Sequence, residues 1–134
     1  MADFATTYLR SFINYEHGSI PSDLGAFQLD RIQKLLDRLR DPHKAYPVIH
    51  IVGTKGKGST AVFLASALRE AGLKVGLYTS PHLYDVKERI RVLAPQAARR
   101  RKETAFEGKI SRSAFERILK ILKPQIDHVL QREA

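Results

Sequence analysis

An α/β fold, with a parallel sheet flanked by helices, follows from three observations. The apolar run Val48-Ile49-His50-Ile51-Val52 reads as a buried strand ending at Gly53. A glycine-rich turn and a run of good helix formers, residues 61–71, come directly after it. Residues 73–79, Leu-Lys-Val-Gly-Leu-Tyr-Thr, then read as a second strand. Strand, helix and strand in that order make a βαβ unit, whose strands run parallel and are covered by helices on both faces.

The other elements follow in chain order. Phe4, Tyr8, Leu9, Phe12 and Ile13 recur at helical spacing and predict an amphipathic N-terminal helix. Residues 14–25 read as a loop rich in turn residues, where His17 has no neighbouring metal-ligand partners. Leu29, Ile32, Leu35, Leu36 and Leu39 form a clean helical stripe opposite Asp30, Lys34, Asp37 and Arg38, so a second helix packs through its apolar face. Asp41-Pro42 and Tyr46-Pro47 bracket a short connection into the first strand. Gly72 closes the helix after the glycine-rich turn as a left-handed cap would. Near the C-terminus, Phe115, Ile118, Leu119 and Leu122 predict a helix over 111–122. Pro124 kinks or restarts it, and Ile126, Val129 and Leu130 continue the apolar pattern.

Composition sets the outer limits. At 134 residues and 43% hydrophobic content, the chain has room for one domain with a modest core, or is a piece of a larger one. No run of about 18 apolar residues is present, and no basic segment followed by an apolar one opens the chain. The absence of cysteine excludes disulfides and thiolate metal sites. Together these features predict a cytoplasmic protein with no membrane partner. A formal charge of +9 suits polyphosphate or polycarboxylate substrates as well as nucleic acid. Much of the excess lies in Arg99-Arg100-Arg101-Lys102, with no aromatic residue interleaved, which reads as a solvated loop and counts against a nucleic-acid interface.

Two stretches carry chemistry. In Gly53-Thr54-Lys55-Gly56-Lys57-Gly58-Ser59-Thr60, the glycines let the backbone curl around an anion, as in P-loop nucleotide-binding domains. The helix N-terminus adds partial positive charge, Lys57 adds a whole one, and Ser59 or Thr60 offers a hydroxyl to a phosphate-bound magnesium ion. The spacing is unusual, because only Thr54 and Lys55 separate Gly53 from Gly56, and Gly58 intervenes between Lys57 and Ser59. The plainer reading is a glycine-rich turn with a basic surface residue. The second stretch, residues 79–92, begins where the second strand ends, at the rim where open α/β sheets bind ligands. Ser80 falls there with Pro81, His82 and Leu83, and the plainer reading is an ordinary Ser-Pro turn.

Taken together, residues 53–60, residues 72–83 and Glu88-Arg89-Ile90-Arg91 closely resemble the folylpolyglutamate synthase/dihydrofolate synthase family of the Mur ligase superfamily. The resemblance runs well from about Tyr8 to Val92 and more loosely beyond. It implies a P-loop NTPase-like parallel sheet and an ATP-dependent ligase. In such an enzyme ATP phosphorylates a carboxylate of folate or dihydropteroate, and the amine of L-glutamate attacks the acyl phosphate. By the motif match, Gly53, Thr54, Lys55, Gly56, Lys57, Gly58, Ser59 and Thr60 bind ATP, and Lys57 is the candidate catalytic residue. Ser59 and Ser80 hold Mg2+. Ser80, Pro81, His82, Leu83 and Arg89 belong to a loop that closes over the pterin substrate. The family's glutamate and histidine metal ligands, its modified lysine and its glutamate-binding C-terminal domain have no counterpart here. Residues 1–134 are therefore expected to be the N-terminal portion of a Mur-ligase-type ATP-binding domain, with residues 94–109 a basic inserted loop. Such a piece is expected to be inactive alone and to self-associate through uncovered sheet edges. The alternative is a free-standing P-loop module or pseudoenzyme without ligase activity.

Overall fold

The computed structural model describes residues 4–12, 29–95 and 106–131. Its elements run α1 (Phe4–Arg10), α2 (Leu29–Arg38), a 3-10 turn (Pro42–Ala45), α3 (Lys57–Glu70), β1 (Val75–Tyr78), a 3-10 turn (Val86–Arg89), β2 (Ile90–Leu93) and α4 (Arg112–Gln131). The arrangement is α/β. The chain divides into two units, residues 1–48 with 116–134, and residues 49–115. No helix among the described residues is long and apolar enough to cross a membrane. The predicted loop at 14–25 and the cluster Arg99–Lys102 lie outside the described residues, as does Ile13.

In the first unit, α1 is held by its aromatic face. Tyr8 stacks on Phe4 at 6.1 Å and meets Phe12 edge-on at 5.0 Å, while Ala5 is fully buried. The Tyr8 hydroxyl donates to Asp127 of α4 at 3.1 Å, and the Lys123 ammonium lies 4.9 Å from the centre of the Tyr8 ring. Lys123 and Asp127 form an ion pair one turn apart on α4. The apolar stripe of α2 lines a shallow cleft with α4, between Ile32 and Leu35 on one side and Ile126, Val129 and Leu130 on the other. None of the α2 side chains is fully buried. Arg38 on α2 donates to the Gln125 side chain at 2.9 Å. At its end, Asp41 N–H donates to Leu36 and Arg40 N–H to Asp37, with Arg40 left-handed at φ 61°. This is the closure usually given to glycine, here adopted by arginine. Of the kink or restart expected at Pro124, the restart does not occur, since α4 is helical throughout. Pro124 forfeits one backbone bond, but Leu119 and Val129 on either side of it are buried, and their packing offsets the loss.

The second unit is a helix on a small sheet. Ala65 of α3 packs with Leu77 of β1 and Leu93 of β2, and Ala61 and Val75 border them. Ala61 and Ala65 are one turn apart, so a strip of small side chains faces the sheet. β1 and β2 are antiparallel, with Val75 opposite Leu93, Leu77 opposite Arg91 and Tyr78 opposite Ile90. The alternate face, with Tyr78, Ile90 and Val92, stays exposed. Beyond β2, Val92 N–H donates to Gly108 at 2.8 Å and Ile110 N–H to Ile90 at 2.9 Å, so residues 108–110 line the other edge of the strand. Arg69 forks onto the Glu107 carboxylate at 3.1 and 3.2 Å, and Arg91 donates to the Glu107 carbonyl at 2.9 Å.

Three expectations change here. Residues 48–52 form no strand among the described residues; Val48, Ile49 and Val52 are exposed, Val52 at 80%. The strand expected to pair with them in parallel, shortened to Val75–Tyr78, instead makes its ladder with β2. β2 stands where the stretch opened by Ser80 suggests a loop, because four residues are too few for a clear alternation. Residues 107–109 are tied to α3 and β2.

Two outcomes are expected. Burial, and then the hydrogen bond to and charge of Asp127, push the Tyr8 hydroxyl up to about 12 from 10.0. The Lys123 ammonium holds the Asp127 carboxyl below its usual range, aided by Tyr8 and opposed by partial desolvation. The raised Tyr8 value means its docking is fully favourable below pH 10 and is lost as pH rises towards 12. An absorbance titration should show a tyrosine step near pH 12 that Tyr8→Phe abolishes; an unchanged step in that variant would refute the assignment. Gly108 has φ 74°, and a Cβ there would stand 2.5 Å from the Val92 carbonyl oxygen. Gly108→Ala should therefore cost about 1–3 kcal/mol in urea unfolding.

Candidate functional site

The glycine-rich turn leads straight into α3. The helix begins at Lys57, ahead of the run of helix formers at 61–71, and Gly56, left-handed at φ 76°, serves as its N-cap. Lys57, Gly58 and Ser59 are therefore the first three helical residues, whose N–H groups lack intrahelical acceptors by the geometry of any helix start. These three donors and the helix dipole face the turn that residues 53–56 make. A Cβ at Gly56 or Gly58 would meet nothing within 4 Å, so the backbone there is open to a ligand. All of residues 52–60 are exposed.

The side chains of the turn sort themselves. Lys57 folds back so that its ammonium donates to the Thr54 carbonyl at 3.3 Å, which keeps its charge over the turn. The Thr60 hydroxyl donates to the Gly56 carbonyl at 3.0 Å, an acceptor it shares with its own N–H at 2.9 Å. The resemblance assigns Ser59 to the metal, and the structure commits the neighbouring Thr60 hydroxyl to the backbone. Lys55 is exposed beside them.

Gly72, left-handed at φ 87°, ends α3 as expected, with Leu73 N–H donating to Leu68 and Gly72 N–H to Arg69. The short connection at 71–74 turns the chain back, so β1 runs along α3 towards the end where the helix starts. Ser80 follows β1 on that side. The loop it opens is folded around a buried carboxylate, Glu88, which accepts from the backbone N–H groups of Leu83 (3.0 Å), Tyr84 (3.3 Å) and Asp85 (3.1 Å). Asp85 in turn accepts from Lys87 N–H at 2.9 Å, and the pair makes a capping box over Val86–Arg89. Partial burial acts to raise the Asp85 carboxyl. The Lys87 backbone and ammonium, with Lys109 beyond, outweigh it and hold the group below its usual range. Arg89 Nε donates to His82 Nδ1 at 2.9 Å, so two of the predicted loop residues are directly joined. Leu83 and Tyr84 project outward, 76% and 87% exposed, and Pro81 follows a cis bond from Ser80.

Sequence reasoning quoted Glu88 without giving it a role, although Asp85 and Glu88 already stand at the spacing of a capping box. Glu107 was missed altogether, since its partner Arg69 lies 38 positions away. No cluster of His, Cys, Asp and Glu among the described residues could hold a metal ion without other ligands.

Fold and site together define an α/β unit built on a glycine-rich turn at a helix N-terminus, with a structured loop leaving the adjacent strand. Proteins similar to this chain are folylpolyglutamate and dihydrofolate synthases. The chain is 49% identical over 74 residues to a probable bifunctional folylpolyglutamate synthase/dihydropteroate synthase of Haloferax volcanii, across 52% of this chain and 9% of that protein. It is 47% identical over 64 residues to the dihydrofolate synthase/folylpolyglutamate synthase of Bacillus subtilis, across 48% of this chain and 15% of that one. Its structure matches folylpolyglutamate synthetase from Lactobacillus casei with a TM-score of 0.70 and 28% identity, over 96% of this chain and 27% of the other. The chain thus spans a small part of the length of the relatives it matches. No protein-family model matches it.

Proposed function

We propose that the chain is the N-terminal portion of the ATP-binding domain of a ligase that adds L-glutamate to a carboxylate of folate or dihydropteroate. The observation that carries this reading is the open glycine turn at the start of α3, in a structure similar across nearly its whole length to a folylpolyglutamate synthetase. The residues fit the phosphates of ATP: three N–H donors at a helix start, an unobstructed glycine face and an ammonium already hooked over the turn. Lys57 exchanges the Thr54 carbonyl for phosphate oxygens and neutralises charge on the transferred phosphoryl group. Ser59, whose neighbour Thr60 is committed to the backbone, and Ser80 hold Mg2+, which supplies charge neutralisation between the phosphates. The activated carboxylate is an acyl phosphate; the glutamate amine displaces phosphate from it, leaving an amide, ADP and phosphate. His82, Leu83 and Arg89, with Ser80 and Pro81, face the acceptor substrate. In the complete domain, residues 48–52 become a strand beside β1 in a parallel sheet, and by itself the chain self-associates through that edge. The cytoplasm is the expected compartment.

The test is glutamate- and dihydropteroate-dependent ADP release by the intact native polypeptide. Lys57→Ala should lower it by roughly 10²–10³-fold. Ser59→Ala should impair magnesium-dependent nucleotide binding far more than Thr60→Val does; the reverse order would refute the assignment of Ser59. The 134-residue chain by itself should bind ATP without glutamate-dependent turnover. An intact native protein that binds ATP and never ligates would replace this reading with a free-standing nucleotide-binding module.

A further inference from the structure

The contact between Arg89 and His82 assigns a proton. Arg89 Nε donates to His82 Nδ1 at 2.9 Å, and a guanidinium N–H is always a donor. Nδ1 is therefore the acceptor and carries no hydrogen. The bond made by one ring nitrogen fixes the role of the other, so the imidazole is neutral with its hydrogen on Nε2. The contact is held from both sides. Arg89 ends the turn Val86–Arg89, which the Asp85–Glu88 capping box secures, and its carbonyl accepts from Thr79 N–H at 3.1 Å. His82 is half-buried, three positions after Thr79, and its Nε2 has no hydrogen-bond partner among the described residues. With the Nδ1 lone pair given to Arg89 and Nε2 protonated, the ring has no lone pair left for a metal ion or for a substrate proton. It can only donate.

We propose that His82 is an oxyanion donor, binding a carboxylate or phosphoryl oxygen through Nε2–H, and that Arg89 is the positioning residue that holds it in this tautomer. This rests on the ligase reading above, which supplies both kinds of oxygen, the acceptor's carboxylate and the phosphates of ATP. The cation behind the ring strengthens the donor, because hydrogen bonds in a chain polarise one another and the guanidinium draws electron density from the imidazole. Such a donor suits charge gathered on oxygen and gains as that charge grows during group transfer. Base and metal ligand, the two other roles open to a histidine, are closed by the same bond.

The experiment records proton–nitrogen correlation spectra of the histidine rings in the intact native polypeptide and, separately, equilibrium binding of MgATP and of dihydropteroate. The His82 signal, identified by its loss in His82→Gln, should show hydrogen on Nε2 and none on Nδ1. In Arg89→Met a second species with hydrogen on Nδ1 should appear. Hydrogen on Nδ1 of His82 in the unaltered protein overturns the assignment, and that spectrum decides the tautomer even where Arg89→Met does not fold. His82→Ala should weaken one ligand about tenfold, the usual scale for a hydrogen bond to a charged group. That ligand is dihydropteroate where the oxygen is a carboxylate and MgATP where it belongs to a phosphate. His82→Gln, whose amide presents an N–H near the reach of Nε2 but is neither base nor metal ligand, should keep most of the affinity that His82→Ala loses. Arg89→Met should weaken the same ligand. Equal loss in His82→Gln and His82→Ala, or no loss of either ligand in His82→Ala, overturns the donor role. A native protein that binds MgATP but neither dihydropteroate nor folate refutes the ligase reading, while the ring spectra and the MgATP affinities still decide this inference.

Discussion

The chemistry of residues 49–115 depends on the close approach of α3 to its sheet. Alanine at positions 61 and 65 keeps the helix surface low, so Leu77 and Leu93 fill the space between them without a large side chain intervening. Because the helix lies flat on β1 and the connection between them is short, the start of α3 and the end of β1 are brought to one side. The glycine turn opens α3 and Ser80 follows β1, so each is carried by one of the two elements that pack together.

Charge fixes what apolar packing leaves loose. The apolar core here is small, and the loops that matter are pinned by carboxylates instead: Glu88 gathers three N–H groups of its own loop, and Glu107 is gripped at its side chain by Arg69 and at its carbonyl by Arg91. A buried arginine that forks onto a carboxylate fixes orientation as well as distance. In the other unit, Tyr8, Lys123 and Asp127 do the same for a seven-residue helix that would not persist alone.

Much of this was legible in the residues. The stripes of α1, α2 and α4, the left-handed Gly72 and the glycine turn all announce themselves by local pattern, and local pattern is what fixes them. The failures share a cause. Residues 48–52 have the composition of a buried strand, but composition does not provide a neighbouring strand, and β1 found β2. Pro124 reads as a possible restart because its penalty is local, while the packing that carries α4 through it comes from turns on both sides. The bond from the Thr60 hydroxyl to the Gly56 carbonyl is likewise not visible in the spacing. Glu107 pairs across 38 positions, a distance at which no spacing rule operates.

The hydrogen bonds from Val92 to Gly108 and from Ile110 to Ile90 have a wider meaning. The chain leaves β2 at one end and returns alongside the same strand, so both ends of the intervening stretch are anchored whatever lies between them. Lengthening a connection whose ends are already fixed costs only a logarithmic amount, about 0.6 kcal/mol for each doubling. This is therefore where extra length, a foreign epitope or a fluorophore tag can be grafted at least cost to the pairing of β1, β2 and residues 108–110.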